Sequence, residues 1–149
     1  MERIHVRTRS PQCLEDVTGQ VNEAVRRSRV DEGVCHLFAP HTTAGLVINE
    51  NAVPDVGRDL LEKLEALVPS DASYHHLEGN AHAHIKSSLV GHSAAVPVAA
   101  GRLSLGRWQG VFLAEFDGPR EREVLVTVAS ARPAATPAEA TPERTEANP

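Results

Sequence analysis

Short apolar runs recur along this chain, each cut off by glycine, proline or a polar cluster. They occupy Val34 to Ala39, Thr43 to Ile48, Ala94 to Val98, Leu103 to Leu105, Val111 to Phe116 and Val124 to Ala129. Runs this short suit strands better than helices, which need about ten or more residues to bury a stripe. Gly101, Gly106, Gly110 and Asp117-Gly118 mark turns between the later ones. Nearer the start, Ile4 and Val6 alternate with Arg3, His5 and Arg7, the two-residue period of a half-buried strand. The last two strands are expected to form a hairpin around Asp117 to Arg120.

Helical spacing appears in three places. Thr18 resembles an N-cap before a helix through Val21, Ala24 and Val25 that ends near Ser28. Pro54 fits a first helical turn, where its missing N–H costs little. Val56, Leu60, Leu61, Leu64 and Leu67 then form a 3.6-residue stripe that stops at Pro69. A short third helix is expected from about His82 to Leu89. The sum is an α+β domain, strand-rich, with mostly antiparallel sheets and two or three helices.

Aromatic residues make up only 3% of the 149, so valine, leucine, isoleucine and alanine must build the core. The domain is expected over residues 1–131. Residues 132–149, rich in proline, alanine and glutamate, lack the apolar surface to offset ordering entropy and read as a disordered tail. A net charge of −5 argues against nucleic-acid binding through a basic surface. No apolar run approaches the roughly 18 residues of a membrane span. With no apolar signal core at the start and only Cys13 and Cys35, a cytoplasmic protein is expected.

Chemistry concentrates between Tyr74 and His92, which holds five of the eight histidines. Imidazole binds metals and moves protons near neutral pH. Two residues apart, His82 and His84 diverge by roughly 200° on a helix, so they are not expected to share one ion. Lys86 and Ser87 offer an ammonium and a hydroxyl to an anion. His41 sits between two strands, either as a turn residue or as a partner to other histidines. Asn49 and Glu50 follow an apolar strand and fit helix entry or a polar site equally. Glu115 lies inside an apolar run, and facing inward it would need a cation or a metal. Trp108 and Gln109 precede Gly110, while Arg120 sits at a turn tip and has the geometry to clamp a phosphate.

Four segments in order carry a resemblance: PHTTAGLVINENAVPDV at 40–56, Tyr74-His75-His76, AHIKSSLVG at 83–91, and GRLSLGRWQGVFLAEFDGPR at 101–120. Together they resemble the YjbQ-like family over roughly residues 1–130. The resemblance implies a β-sandwich-like core, a homotrimer and secondary thiamine-phosphate synthase activity. That activity joins a pyrimidine pyrophosphate to a thiazole phosphate.

By the same likeness His41, His76 and His84 match the family's histidines and would hold a divalent metal, zinc or magnesium. Glu50, Glu115 and Lys86 are expected in catalysis. Asn49, Ser87, Trp108, Gln109 and Arg120 are expected to line the pocket around a small phosphorylated substrate. The alternative is a non-catalytic trimeric module that holds a small anion or a metal. Two departures stand out: Val53 replaces the family's usual aspartate before Pro54, and Arg107 replaces its usual threonine before Trp108.

Overall fold

A computed structural model of the chain describes residues 1–131. The expected disordered tail lies outside the described residues. Eight strands and three helices follow in the order β1 (Glu2–Arg7), β2 (Cys13–Asp16), α1 (Thr18–Ser28), β3 (Gly33–Phe38), β4 (Ala44–Glu50), α2 (Pro54–Leu67), α3 (Ala81–Val90), β5 (Ser93–Ala99), β6 (Arg102–Leu103), β7 (Gln109–Glu115) and β8 (Glu121–Ser130). Every pairing is antiparallel. One sheet runs β1-β8-β3-β5-β6 and the other β2-β7-β4.

The two-residue period puts Ile4, Val6, Cys35, Leu37, Val96, Val98, Val124 and Val126 on the inner face of the five-stranded sheet. They meet Leu46, Val111 and Leu113 of the three-stranded sheet, and Val21 and Val25 of α1 complete this main core. The outer face of the three-stranded sheet carries a second core. There Ala83, Ala114 and Phe116 pack with Leu14, Val47, Leu61, Leu64 and Val90, so α2 and α3 cover this face. The end of α3 lies hard against β4: a Cβ on Gly45 would sit 2.5 Å from the Gly91 carbonyl oxygen.

Two expectations need correction. The last two long strands form no hairpin: β7 and β8 belong to different sheets, and Asp117 to Arg120 carries the chain across the sandwich. Inward-facing groups on both strands, Glu115 and Arg122, bond to each other across that gap. Thr18 is the first residue of α1 rather than its cap. Asp16 plays the capping part, accepting the Thr18 N–H at 2.9 Å and its hydroxyl at 2.6 Å.

Candidate functional site

The residues selected from the sequence separate along one strand pair. Ala44 faces Glu115 at one end of β4·β7, and Glu50 faces Gln109 at the other. At about 3.4 Å per residue the two ends are roughly 20 Å apart.

At the first end Glu115 is fully buried and Arg122 is 6% exposed. The guanidinium grips the carboxylate through Nε (2.8 Å) and Nη2 (2.6 Å), a bidentate pair. Nη2 also donates to Thr43 Oγ1 at 2.7 Å, and the Thr8 hydroxyl donates to Glu115 at 2.9 Å. The Phe116 and Asp117 N–H groups add two more bonds to the same carboxylate. Burial pushes this carboxyl up, yet the bonds from Arg122, the Asp117 N–H and Thr8 outweigh it and hold the group below its ordinary value. The cation that an inward Glu115 requires is therefore Arg122, a residue the sequence did not mark.

His41 is tied to the same edge. Its Nε2 lies 2.9 Å from the Glu123 backbone nitrogen and 3.1 Å from the Glu123 carbonyl oxygen. Desolvation, and then the charge of Arg122, lower its pKa. His76 and His84 do meet, with ring centroids 5.2 Å apart and planes at 87°, and Glu78 lies 3.6 Å from His76. Among the described residues, no three histidine, cysteine or acidic side chains gather in one chain to hold a metal. His41, expected as the third ligand beside His76 and His84, has its Nε2 engaged by the Glu123 backbone.

Other selected groups are engaged locally. Lys86 is fully buried; its Nζ donates to Gln12 Oε1 at 2.9 Å and pairs with Glu65. Hydrogen bonds from Gln12, then from Lys86 and the Ser70 N–H, hold the Glu65 carboxyl far below the usual carboxylate range. The Ser87 hydroxyl donates to the Thr42 carbonyl at 2.5 Å, fastening α3 to the loop before β4. Arg120 folds back onto its own turn, with Nε on the Asp117 carbonyl at 2.7 Å and Nη2 on the Asp117 carboxylate at 3.0 Å. Asn80 donates to that carboxylate as well.

At the second end Asn49, Glu50, Trp108 and Gln109 come together where β4 meets β7, and the ladder continues through the Asn51 N–H to the Trp108 carbonyl at 3.0 Å. Beside them opens a groove of about 460 Å³ between the start of α2 and the outer face of the small sheet. Leu14, Leu61, Val53 and Phe112 give it apolar walls; Gln12 and Cys13 line it with Asp16, Glu50, Asn51 and Arg58. Of the residues selected from the sequence only Glu50 lines it. The others were passed over because they are distributed over four segments with no motif in common. A larger cleft, about 610 Å³ between α1 and Ala100 to Arg102, is lined by none of the selected residues.

The family model for UPF0047 protein YjbQ-like matches residues 2–131. The chain belongs to the YjbQ-like UPF0047 family. A UPF0047 protein of Methanocaldococcus jannaschii is 45% identical over 126 residues, 85% of this chain and 91% of that protein. A crystal structure of a YjbQ/UPF0047 protein from Clostridium acetobutylicum, described as uncharacterized, superposes with a TM-score of 0.85. It is 46% identical, covering 87% of this chain and all of that one. A Sulfolobus solfataricus relative, described as of unknown function, gives 0.83 at 36% identity over 87% of this chain and 95% of its own.

These findings overturn the expected activity. The YjbQ-like relatives are described as UPF0047 proteins or as proteins of unknown function, and none of those compared is named a thiamine-phosphate synthase. The alternative of a trimeric anion- or metal-holding module finds no more support among them. Membership and fold stand; the metal-assisted joining of phosphorylated precursors does not.

Proposed function

We propose that this YjbQ-like chain is a small-molecule-binding domain whose ligand lies in the groove between α2 and the three-stranded sheet. The observation that carries this reading is the groove itself. It combines an apolar lining with polar groups at its borders, in the size range of organic-ligand sites, about 300–1,000 Å³. Gln12 is held by Lys86 and Glu65, so the groove has one fixed polar wall. Burial and hydrogen bonding keep that wall in place before any ligand arrives, which lowers the ordering cost of binding.

The two cysteines provide the test. Cys13 lines the groove and is partly exposed; Cys35 is buried, and burial pushes its thiol up to about 11. Iodoacetamide at pH 8 will therefore report on Cys13 alone. A panel of aryl-alkyl amines, alcohols and acids is expected to include members that slow this alkylation and raise Tm. Gly57 lines the groove, and a Cβ there already lies 3.3 Å from a Leu14 methyl, so Gly57→Leu is expected to fill it and abolish protection. No protection by any compound, with crystals soaked in the same panel showing an empty groove, would refute the reading.

We further propose that copies of the chain associate as the homotrimer the family resemblance implies, through the outer face of the five-stranded sheet. Val34 and Phe38 are exposed there, and in the described residues no helix covers that face.

A further inference from the structure

We infer that the cleft between α1 and the β5–β6 turn is a second binding site, and that it takes a phosphorylated polyol. The inference stands apart from the groove reading, since the two cavities share no lining residue.

The walls of this cleft are tied to each other. Gly19, Asn22, Glu23 and Arg26 are three and four apart, so one face of α1 forms the first wall. Ala100 and Gly101 form the second; they are the turn residues between Ala99 and Arg102, which pair across β5 and β6. Asn22 Oδ1 accepts the Leu103 N–H at 3.0 Å. The Asp31 carbonyl accepts the Gly101 N–H at 3.1 Å, and Glu32 Oε1 the Ala100 N–H at 3.3 Å. The frame is therefore set before a ligand arrives, which lowers the cost of binding. Among the described residues, Arg29 (φ 57°) and Ala100 (φ 50°) are the non-glycine residues with positive φ, and both line this cleft. Arg29 stands where α1 ends, a position at which glycine adopts the left-handed conformation without strain. An arginine kept there against that strain points to a use for its side chain.

Charge supplies that use. The chain's net charge is −5, so carboxylates are in excess and most arginines find one. Among the described residues, Arg9, Arg29, Lys63 and Arg102 are the lysine and arginine side chains that make no hydrogen bond, ion pair or ring contact. Arg29 and Arg102 line this one cleft. Arg26 and Arg27 share Glu23, and both sit in the last turn of α1, where they offset the negative end of its dipole. Two unpaired guanidiniums suit a phosphate monoester, which carries about −1.5 to −2 charges at pH 7 and offers oxygens to both forks. The lining holds no aromatic ring on which a planar ligand could stack. Asp31 lines the cleft as well, and its carboxylate, without a bond among the described residues, calls for a donor. Asn22, with Oδ1 occupied, has its amide N–H groups left to give. A hydroxyl donates to the first and accepts from the second, whereas an ammonium only donates.

Isothermal titration calorimetry of the full chain with ribose 5-phosphate, ribose and inorganic phosphate tests the site, while Cys13 alkylation is followed in parallel. Ribose 5-phosphate is expected to bind about tenfold more tightly than either fragment and to leave Cys13 alkylation unchanged. Arg102→Gln and Arg29→Gly are each expected to weaken that binding about tenfold. Arg29→Gly is also expected to keep or raise Tm, because glycine relieves the left-handed strain, so its loss of binding is not a loss of fold. Ala100→Gly keeps both guanidiniums, and Lys63→Gln removes an unpaired cation on α2 instead. Both are expected to leave the affinity unchanged. Absence of saturable binding by ribose 5-phosphate overturns the site, as does an equal loss in Lys63→Gln and Arg102→Gln. Inorganic phosphate binding as tightly as ribose 5-phosphate overturns the polyol assignment. Protection of Cys13 by ribose 5-phosphate, with affinity retained in Arg102→Gln, places the ester in the groove; that overturns this inference and spares the groove reading.

Discussion

Glu115 and Arg122 are seven positions apart in the chain and meet between two sheets. Each is nearly inaccessible, and each satisfies the other's charge. Removing one partner strands a buried charge, which costs about 3–5 kcal/mol, whereas replacing both by apolar residues of similar volume costs far less. Arg122→Met is therefore expected to lower the urea midpoint severely. The double variant Glu115→Leu/Arg122→Met is expected to recover most of that loss, as chemical denaturation will measure. Half of this pair was legible in the sequence: a carboxylate within Val111 to Phe116 required an inward cation or an outward face. Its partner was passed over, although Arg122 shares the two-residue period of the inward Val124 and Val126, because an arginine at the start of a strand also fits a solvated strand end. Only the packing of the second sheet decides which side faces in. Lys86 shows the same limit, since its burial depends on Glu65 and Gln12, far away in sequence.

The helices were legible nearly to their ends, and for α2 and α3 proline and glycine mark those ends by backbone geometry. Pro54 opens α2, and the histidines at 82 and 84 lie on α3, the short helix expected from about His82 to Leu89. The N-cap of α2 leaves room for improvement. Val53 occupies it in an extended conformation and makes no side-chain bond to the helix N–H groups. Val53→Asp restores a carboxylate to a position where it can accept from the second or third helical N–H and complement the helix dipole. The substitution is expected to stabilise the chain by about 1 kcal/mol, raising Tm by a few degrees in differential scanning calorimetry. Because Val53 also lines the groove, the same change adds a third carboxylate there. The histidine-rich segment between Tyr74 and His92 runs through a loop into α3. His76 and His84 meet each other, while His41 is held by the backbone of β8.

Across the whole molecule, three layers lie over one another: an open five-stranded sheet, a three-stranded sheet, and the helices α2 and α3. Strand period foretold a strand-rich, mostly antiparallel domain and the family resemblance implied a sandwich-like core, yet neither gave the assignment of strands to each sheet. That depends on crossings such as Asp117 to Arg120, whose turn residues look the same whether the chain returns to its own sheet or leaves for the other. The open layer carries Val34 and Phe38 outward beside the ionic fringe of Arg3 and Glu123. If this face joins copies, Phe38→Glu places a carboxylate in each contact and is expected to shift the mass in sedimentation equilibrium from trimer to monomer. A wild type that sediments as a monomer at all concentrations would remove the proposed association.

Gly110 leaves a rung missing from the side-chain ladder of β7, and Asn51 drops into the vacancy: a Cβ at 110 would stand 2.6 Å from the amide nitrogen of Asn51. Trp-Gln-Gly and Asn-Glu-Asn, more than fifty residues apart in the chain, are in this sense a socket and its plug. An inherited change of Gly110 to alanine would be tolerated only together with a smaller residue at 51, so drift at these two places must be paired.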